Sequence, residues 1–121
     1  MIKMVALMSR RPGMSRDDFI DYYETKHVPL ILRYVTQVAD YRRSYVLPSE
    51  AISLSEKSPE GAMPPFDVIT EGWFKDRHAF DAMRASLAEP EAAARVAADE
   101  ANFLDRGRMM AFLVDERRSG S

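Results

Sequence analysis

Cysteine is absent from the 121-residue chain. Its absence excludes disulfides, thiolate zinc ligands and a cysteine nucleophile, and it is in keeping with a cytoplasmic setting. Histidine is scarce, with only His27 and His78 present. The two fall on separate expected helices, so a metal site with three side-chain ligands is not expected. Strong charge of either sign is missing as well. A formal net charge of -2, with no basic stripe interleaved with aromatics, argues against a nucleic-acid partner. Long apolar runs do not occur. The opening MIKMVALMSRRPG is too short in its apolar part for a signal peptide, and no later stretch is of a length to span a membrane. Phosphate loops, dinucleotide fingerprints and nucleophile elbows are also missing.

What is present is ordinary in bulk. Hydrophobic residues make up 46% and charged residues 30%, which suits one globular domain with its own core. We place that domain at residues 1–116 and read 117–121 as a tail.

Lys3 to Ser9 reads as a first strand, apolar without a break from Met4 to Met8, so both its faces are expected to be covered. Pro12 and Gly13 make a turn, Ser15 is a suitable N-cap, and Asp17 and Asp18 favour the start of a helix. In that helix Phe19, Tyr23, His27, Leu30 and Tyr34 share one face. Pro29 interrupts it. Proline lacks an N–H for the carbonyl of Thr25 and disfavours helical angles at Val28, so a kink or restart is expected between His27 and Pro29.

Tyr41 to Leu47 is a second strand, with Tyr41, Arg43 and Tyr45 on one face. Pro48 to Pro65, rich in proline, is a long surface loop. Phe66 to Phe74 is a third strand. Asp76 caps a helix that runs from Arg77 to about Leu87, where His78 is expected to be exposed. Pro90 opens a last helix to about Leu104, and Arg108 to Glu116 is the final strand. The order strand, helix, strand, strand, helix, strand predicts an α+β fold, the ferredoxin-like βαββαβ arrangement with an antiparallel sheet. Helices cover one face of such a sheet. Apolar strands leave the other face in need of a cover, which a homodimer supplies.

Two residues carry the candidate chemistry. His27 is a titratable group on an otherwise apolar helix face, suited to act as base or acid near neutral pH. Its alternative is a structural bond to a carbonyl freed at Pro29. Asp99 interrupts the apolar stripe of Ala92, Val96 and Phe103, and a buried carboxylate needs a partner. His27 and Arg43 are both open to it. Tyr23, Tyr41, Arg43 and Trp73 are candidates for lining a pocket that suits a small aromatic or enolisable ligand, with Tyr45 beside them.

Several blocks together resemble the EthD family: VALMSRRPGMSRDDFIDYYETKHVPL, DYRRSYVL, FDVITEGWF and DEANFLDRGRMMAFLVDE. The resemblance runs from Met4 to about Glu116. It implies a dimeric α/β barrel with a cavity in each subunit. The family's H-x-P-L histidine maps onto His27, and its acidic D-E-x-x-F element onto Asp99, Glu100 and Phe103. Members belong to ether degradation and to aromatic polyketide metabolism, and cousins in the superfamily include isomerases, cofactor-free monooxygenases and haem-dependent enzymes. Fold alone fixes no reaction among these. The resemblance leaves two functions as expectations. One is a proton-transfer enzyme without metal or organic cofactor, in which His27 and Asp99 act on a small hydrophobic or aromatic compound held by Tyr23, Tyr41, Arg43, Trp73 and Phe103. The other is a non-catalytic binding or auxiliary protein with the same cavity.

Overall fold

The apolar run near the N-terminus becomes strand β1 (Ile2–Met8), the inner strand on which the sheet is assembled. The structure, a computed structural model, describes residues 1–120. Ser121, the end of the expected tail, lies outside the described residues. After β1 come α1 (Arg16–Tyr22), a π-helical turn over Tyr23–His27, and α2 (Val28–Tyr34). The chain continues with β2 (Val38–Tyr45), β3 (Val68–Phe74), α3 (Arg77–Ala88), α4 (Pro90–Ala101), a short 3-10 turn over Arg106–Arg108, and β4 (Met110–Val114).

The strands form one antiparallel sheet in the order β2-β3-β1-β4. This is the α+β, ferredoxin-like arrangement that the element order implies. Registers fix which side chains share a face. Ala6 pairs with Thr70 on one side and Ala111 on the other, and Tyr41 pairs with Gly72. On β3 the alternation is strict: Val68, Thr70, Gly72 and Phe74 are buried under the helices, while Ile69, Glu71 and Trp73 face the opposite side.

Two clusters join sheet to helices. Phe19, Tyr23, Phe103 and Val68 are completely enclosed at one end, and Val35, Phe74, Phe80 and Met83 pack at the other. Each such side chain contributes about 1.5–3 kcal/mol by leaving water. Caps work as their sequences suggest. Ser15 Oγ accepts from the Asp18 N–H, and Asp76 Oδ1 accepts from the Ala79 N–H.

Pro29 is accommodated differently from the expectation. Val28 keeps helical angles (φ -57, ψ -49), and its N–H donates to the carbonyl of Tyr23, five residues back. The wide π turn, rather than a distorted Val28, makes room for the proline ring. It also shifts the phase of α2 relative to α1. The inward stripe runs Phe19, Tyr23, His27, Ile31, Val35, not through Leu30 and Tyr34. A stripe of strict four-residue spacing drifts about 40° per step on a regular helix. One wide turn in the middle absorbs much of that drift.

Other boundaries move too. β2 begins at Val38, three residues before Tyr41, because an irregular register between Val38 and Asp40 hides the alternation. α4 stops at Ala101, so Phe103 and Leu104 are held by a turn on the Glu100 carbonyl instead of by the helix. β4 covers only Met110–Val114, and beyond it Glu116 turns its carboxylate to Trp73 and Lys3. The stretch from Pro48 to Pro65 carries no helix or strand beyond an isolated bridge between Ser55 and Ser58.

Within the chain the helices supply one of the two covers expected for β1, and the second sheet face stays uncovered. Val5, Leu7, Ile69, Met110 and Phe112 form its apolar part. Its other end is an ionic patch in which Lys3 bridges Glu71 and Glu116, and Lys3 and Arg42 lie over the Trp73 ring.

Candidate functional site

A cavity of about 200 Å³ lies between the sheet and the helices. Met4, Ala6, Val35, Phe74 and Met83 give it mostly apolar walls. Its polar groups are few: Tyr23, His27, Tyr41, Thr70 and Glu100. Two larger surface grooves, of about 610 and 660 Å³, are more open to solvent, and neither includes His27.

The π turn delivers His27 to the cavity wall with 4% of its surface exposed. Its ring lies edge-on to Tyr23 and against Phe103, with centroids 5.0 and 4.9 Å away. Nδ1 sits 2.6 Å from Asp99 Oδ2. Asp99 Oδ1 accepts from the Tyr22 hydroxyl at 2.8 Å, and Asn102 Nδ2 donates to that hydroxyl at 2.9 Å. Both carboxylate oxygens are therefore committed, and the chain Asn102–Tyr22–Asp99–His27 holds the imidazole in place. Of the two partners open to Asp99, His27 is the one in contact. Neither Arg43 on Asp99 nor a freed carbonyl on His27 is found.

The electrostatics reflect this packing. Burial pushes the His27 pKa below its ordinary value, and Asp99 opposes that shift without overcoming it. The ring is neutral at neutral pH. With the proton on Nδ1 given to Asp99, Nε2 keeps its lone pair. Among the described residues Nε2 makes no hydrogen bond, yet it is not one of the fully enclosed unpartnered atoms. It remains reachable from the cavity as a base.

At the sheet wall the Tyr23 hydroxyl bonds Thr70 Oγ1 at 2.6 Å and lies 3.4 Å from the Tyr41 hydroxyl. Burial holds both phenols above their ordinary range, so they stay uncharged.

The expected lining residues divide. Tyr23 and Tyr41 are at the cavity. Arg43 is not: Glu24 takes its Nε and Nη2 at 2.9 and 2.7 Å, and the guanidinium lies over the Tyr41 ring, 4.8 Å from its centroid. Tyr45 joins the same carboxylate. The paired cation leaves Glu24 below the usual carboxylate range. Trp73 stands on the far face of the sheet, where strand alternation puts it, and its Nε1 donates to Glu116. Phe103 is completely buried behind His27, as support for the ring rather than as cavity wall. His78 is exposed.

Sequence reasoning misses three features. Gly72, a lone glycine in a strand, forms part of the cavity floor, a position where strand glycines often mark close approach. Tyr22 and Asn102 orient Asp99, and their spacing from Phe103 carries no visible signal. Glu100 stands out in the sequence only as part of the acidic element, yet it reaches the cavity. Among the described residues no group of three or more His, Asp or Glu side chains is placed to hold a metal ion.

The EthD domain profile matches residues 11–107, most of the chain and all of this site except its first and last strands. The chain belongs to the EthD family. Solved structures resemble this EthD domain in fold. An Arabidopsis thaliana protein shares 15% identity at a TM-score of 0.64, with 100% of both chains covered. An ethyl tert-butyl ether d (EthD) family protein from Bacillus halodurans shares 15% identity at 0.60, covering 97% of this chain and 100% of that one. A dimeric protein of ferredoxin-like fold from Bacteroides fragilis shares 10% identity at 0.54, with 95% of each chain covered. A search of curated protein sequences gives no match. Identities this low carry the fold of the EthD domain and not its chemistry.

Proposed function

We propose that this EthD domain is a proton-transfer enzyme that needs no metal or organic cofactor and acts on a small, uncharged hydrophobic or aromatic compound in the cavity. The observation that carries the reading is the His27 geometry. A neutral imidazole is anchored through Nδ1 to Asp99 at 2.6 Å, with Nε2 left as an unpartnered base at an apolar wall. In such a site His27 takes a proton from carbon, and Asp99 stabilises the imidazolium that forms. The Tyr23, Tyr41 and Thr70 hydroxyls supply polar contacts at the sheet wall. Isomerisation and dehydration both begin with that step.

The working unit is a homodimer. The uncovered apolar part of the sheet, around Val5, Leu7 and Phe112, is the surface that a second copy covers. The dimeric ferredoxin-like neighbour from Bacteroides fragilis is in keeping with this.

The test is exchange of carbon-bound hydrogen with D2O, monitored by proton NMR over a panel of neutral cyclic ketones and phenols. The wild type should accelerate exchange in at least one, and His27→Ala should lose the acceleration. Equal exchange by both proteins would end the reading. A ligand bound equally well by His27→Ala, and never turned over, would instead favour a carrier. The mostly apolar lining is the feature that favours that second reading.

A further inference from the structure

The proposed proton transfer leaves one buried ionisable group at the cavity unused. Glu100 comes directly after Asp99 on α4, and a step of about 100° along the helix turns it away from the dyad. It lines the cavity, and only 14% of its side chain is exposed. No donor within the described residues hydrogen-bonds its carboxyl. The nearest cation, Arg106 Nε, stands 3.6 Å from Oε1, beyond hydrogen-bond distance, and that side chain is 55% exposed. An ionised carboxylate in that position has little solvent and no hydrogen-bond donor to compensate its burial, with Arg106 its one ion-pair partner among the described residues. Burial raises the Glu100 pKa, Arg106 opposes it with a smaller effect, and the neighbouring Asp99 charge adds a still smaller rise. His27 adds no positive charge, because it is neutral.

We propose that Glu100 is the second polar pole of the cavity, a carboxyl that donates a hydrogen bond to the carbonyl oxygen of a neutral, enolisable cyclic ketone while His27 Nε2 faces its α-carbon. Among the described residues no lysine or arginine lines the cavity, with Arg43 held by Glu24 and Arg106 outside the lining, so an anionic ligand finds no counter-charge in its wall. The chemistry balances within these groups. The α C–H bond breaks and its proton goes to Nε2. The electron pair forms the C=C bond and the carbonyl π pair moves to oxygen, where the Glu100 hydrogen bond meets the developing charge. Once the Nε2 proton has been replaced from solvent, its return to the same carbon gives exchange, and protonation at another carbon gives isomerisation. The assignment rests on the proton-transfer reading of the cavity and names its substrate class.

The test uses the intact protein and three probes of one ring size: 1-tetralone, tetralin and 1-naphthoate. Calorimetry should show tetralone binding about tenfold more tightly than tetralin, the worth of one good hydrogen bond, with naphthoate weakest. Glu100→Ala should erase the preference for the ketone, Glu100→Gln should keep most of it through its amide N–H, and His27→Ala should leave it in place. Circular dichroism checks that each variant is folded. A second readout needs no ligand. In protein carrying 13C-carboxyl glutamate, the signal lost in Glu100→Gln should titrate above those of the exposed glutamates.

Equal binding of tetralone and tetralin by the wild type would overturn the Glu100 assignment and leave the cavity reading standing. So would titration of Glu100 together with the exposed glutamates. Binding of none of the three would remove both.

Discussion

Asp99 Oδ2 lies 2.6 Å from His27 Nδ1, although 72 residues separate them. The contact joins the π turn at the start of α2 to the last turn of α4, and it sets the tautomer on which the proposed reaction depends.

Asp99→Asn tests that dependence. The amide is nearly isosteric, but its N–H donates to Nδ1 and moves the ring proton to Nε2. Turnover should fall by about 10²- to 10⁴-fold, while the melting temperature changes little. A 15N NMR spectrum of the imidazole should show the exchanged tautomer. Unchanged turnover would assign Asp99 to packing alone.

Acid should act on stability through His27. Its folded pKa is lowered below the ordinary 6.5, chiefly by burial. Between the lowered value and 6.5 the unfolded chain binds the extra proton, so this stabilisation is complete above 6.5 and is lost as pH falls towards the folded pKa. Chemical denaturation at a series of pH values should show a decline on the acid side of 6.5 that is shallower in His27→Gln.

Gly72 tests whether the cavity is the binding site. A Cβ built there meets the Phe74 ring at 3.4 Å, an ordinary contact, so Gly72→Ala should fold normally. Gly72→Val extends further into the cavity and should weaken tetralone binding by at least about tenfold if the ketone sits there. Full binding by a folded Gly72→Val protein would place the ligand elsewhere.

The Glu24–Arg43 pair predicts a change in stability without a change in site chemistry. Arg43 is bidentate on Glu24 and is 19% exposed, and Glu24 is 36% exposed, so partial solvation tempers the loss. Glu24→Ala should cost about 1–2 kcal/mol in urea unfolding. Ketone binding should persist, because Arg43 is outside the cavity.

Phe112 tests the dimer. It stands 40% exposed on the outer sheet face, paired with Val5. Phe112→Asp places a charge in the middle of the apolar patch. Sedimentation velocity should show the wild type as a dimer at micromolar concentration and the variant as a monomer.

Much of the architecture is legible in the sequence because its signals are local. Ser15, Asp76 and Pro90 mark helix starts that the structure keeps, and the alternation in VITEGWF gives β3 its faces. The errors lie where two periods compete. Periodicity places Leu30 and Tyr34 inward because a proline inside a helix pattern does not reveal that the preceding turn will widen. The start of β2 escapes notice because an irregular register leaves no alternation to read. For the site, Asp99 stands out as a charge on an apolar stripe, which burial forces into a partnership. Arg43 and Trp73 mislead for another reason. Aromatic and cationic residues on strands suggest a pocket, but which of them a carboxylate elsewhere has already claimed depends on tertiary contacts, here with Glu24 and Glu116.

The widened turn at Tyr23–His27 makes the first helical segment intolerant of changes in length. Deleting one residue there would close the turn to a regular helix, setting the Pro29 ring against the carbonyl four residues before it and drawing the imidazole off its carboxylate. The same deletion between Pro48 and Pro65 would shorten a surface strap and disturb neither. Gaps among EthD relatives should therefore collect in that strap and avoid the five residues before Val28.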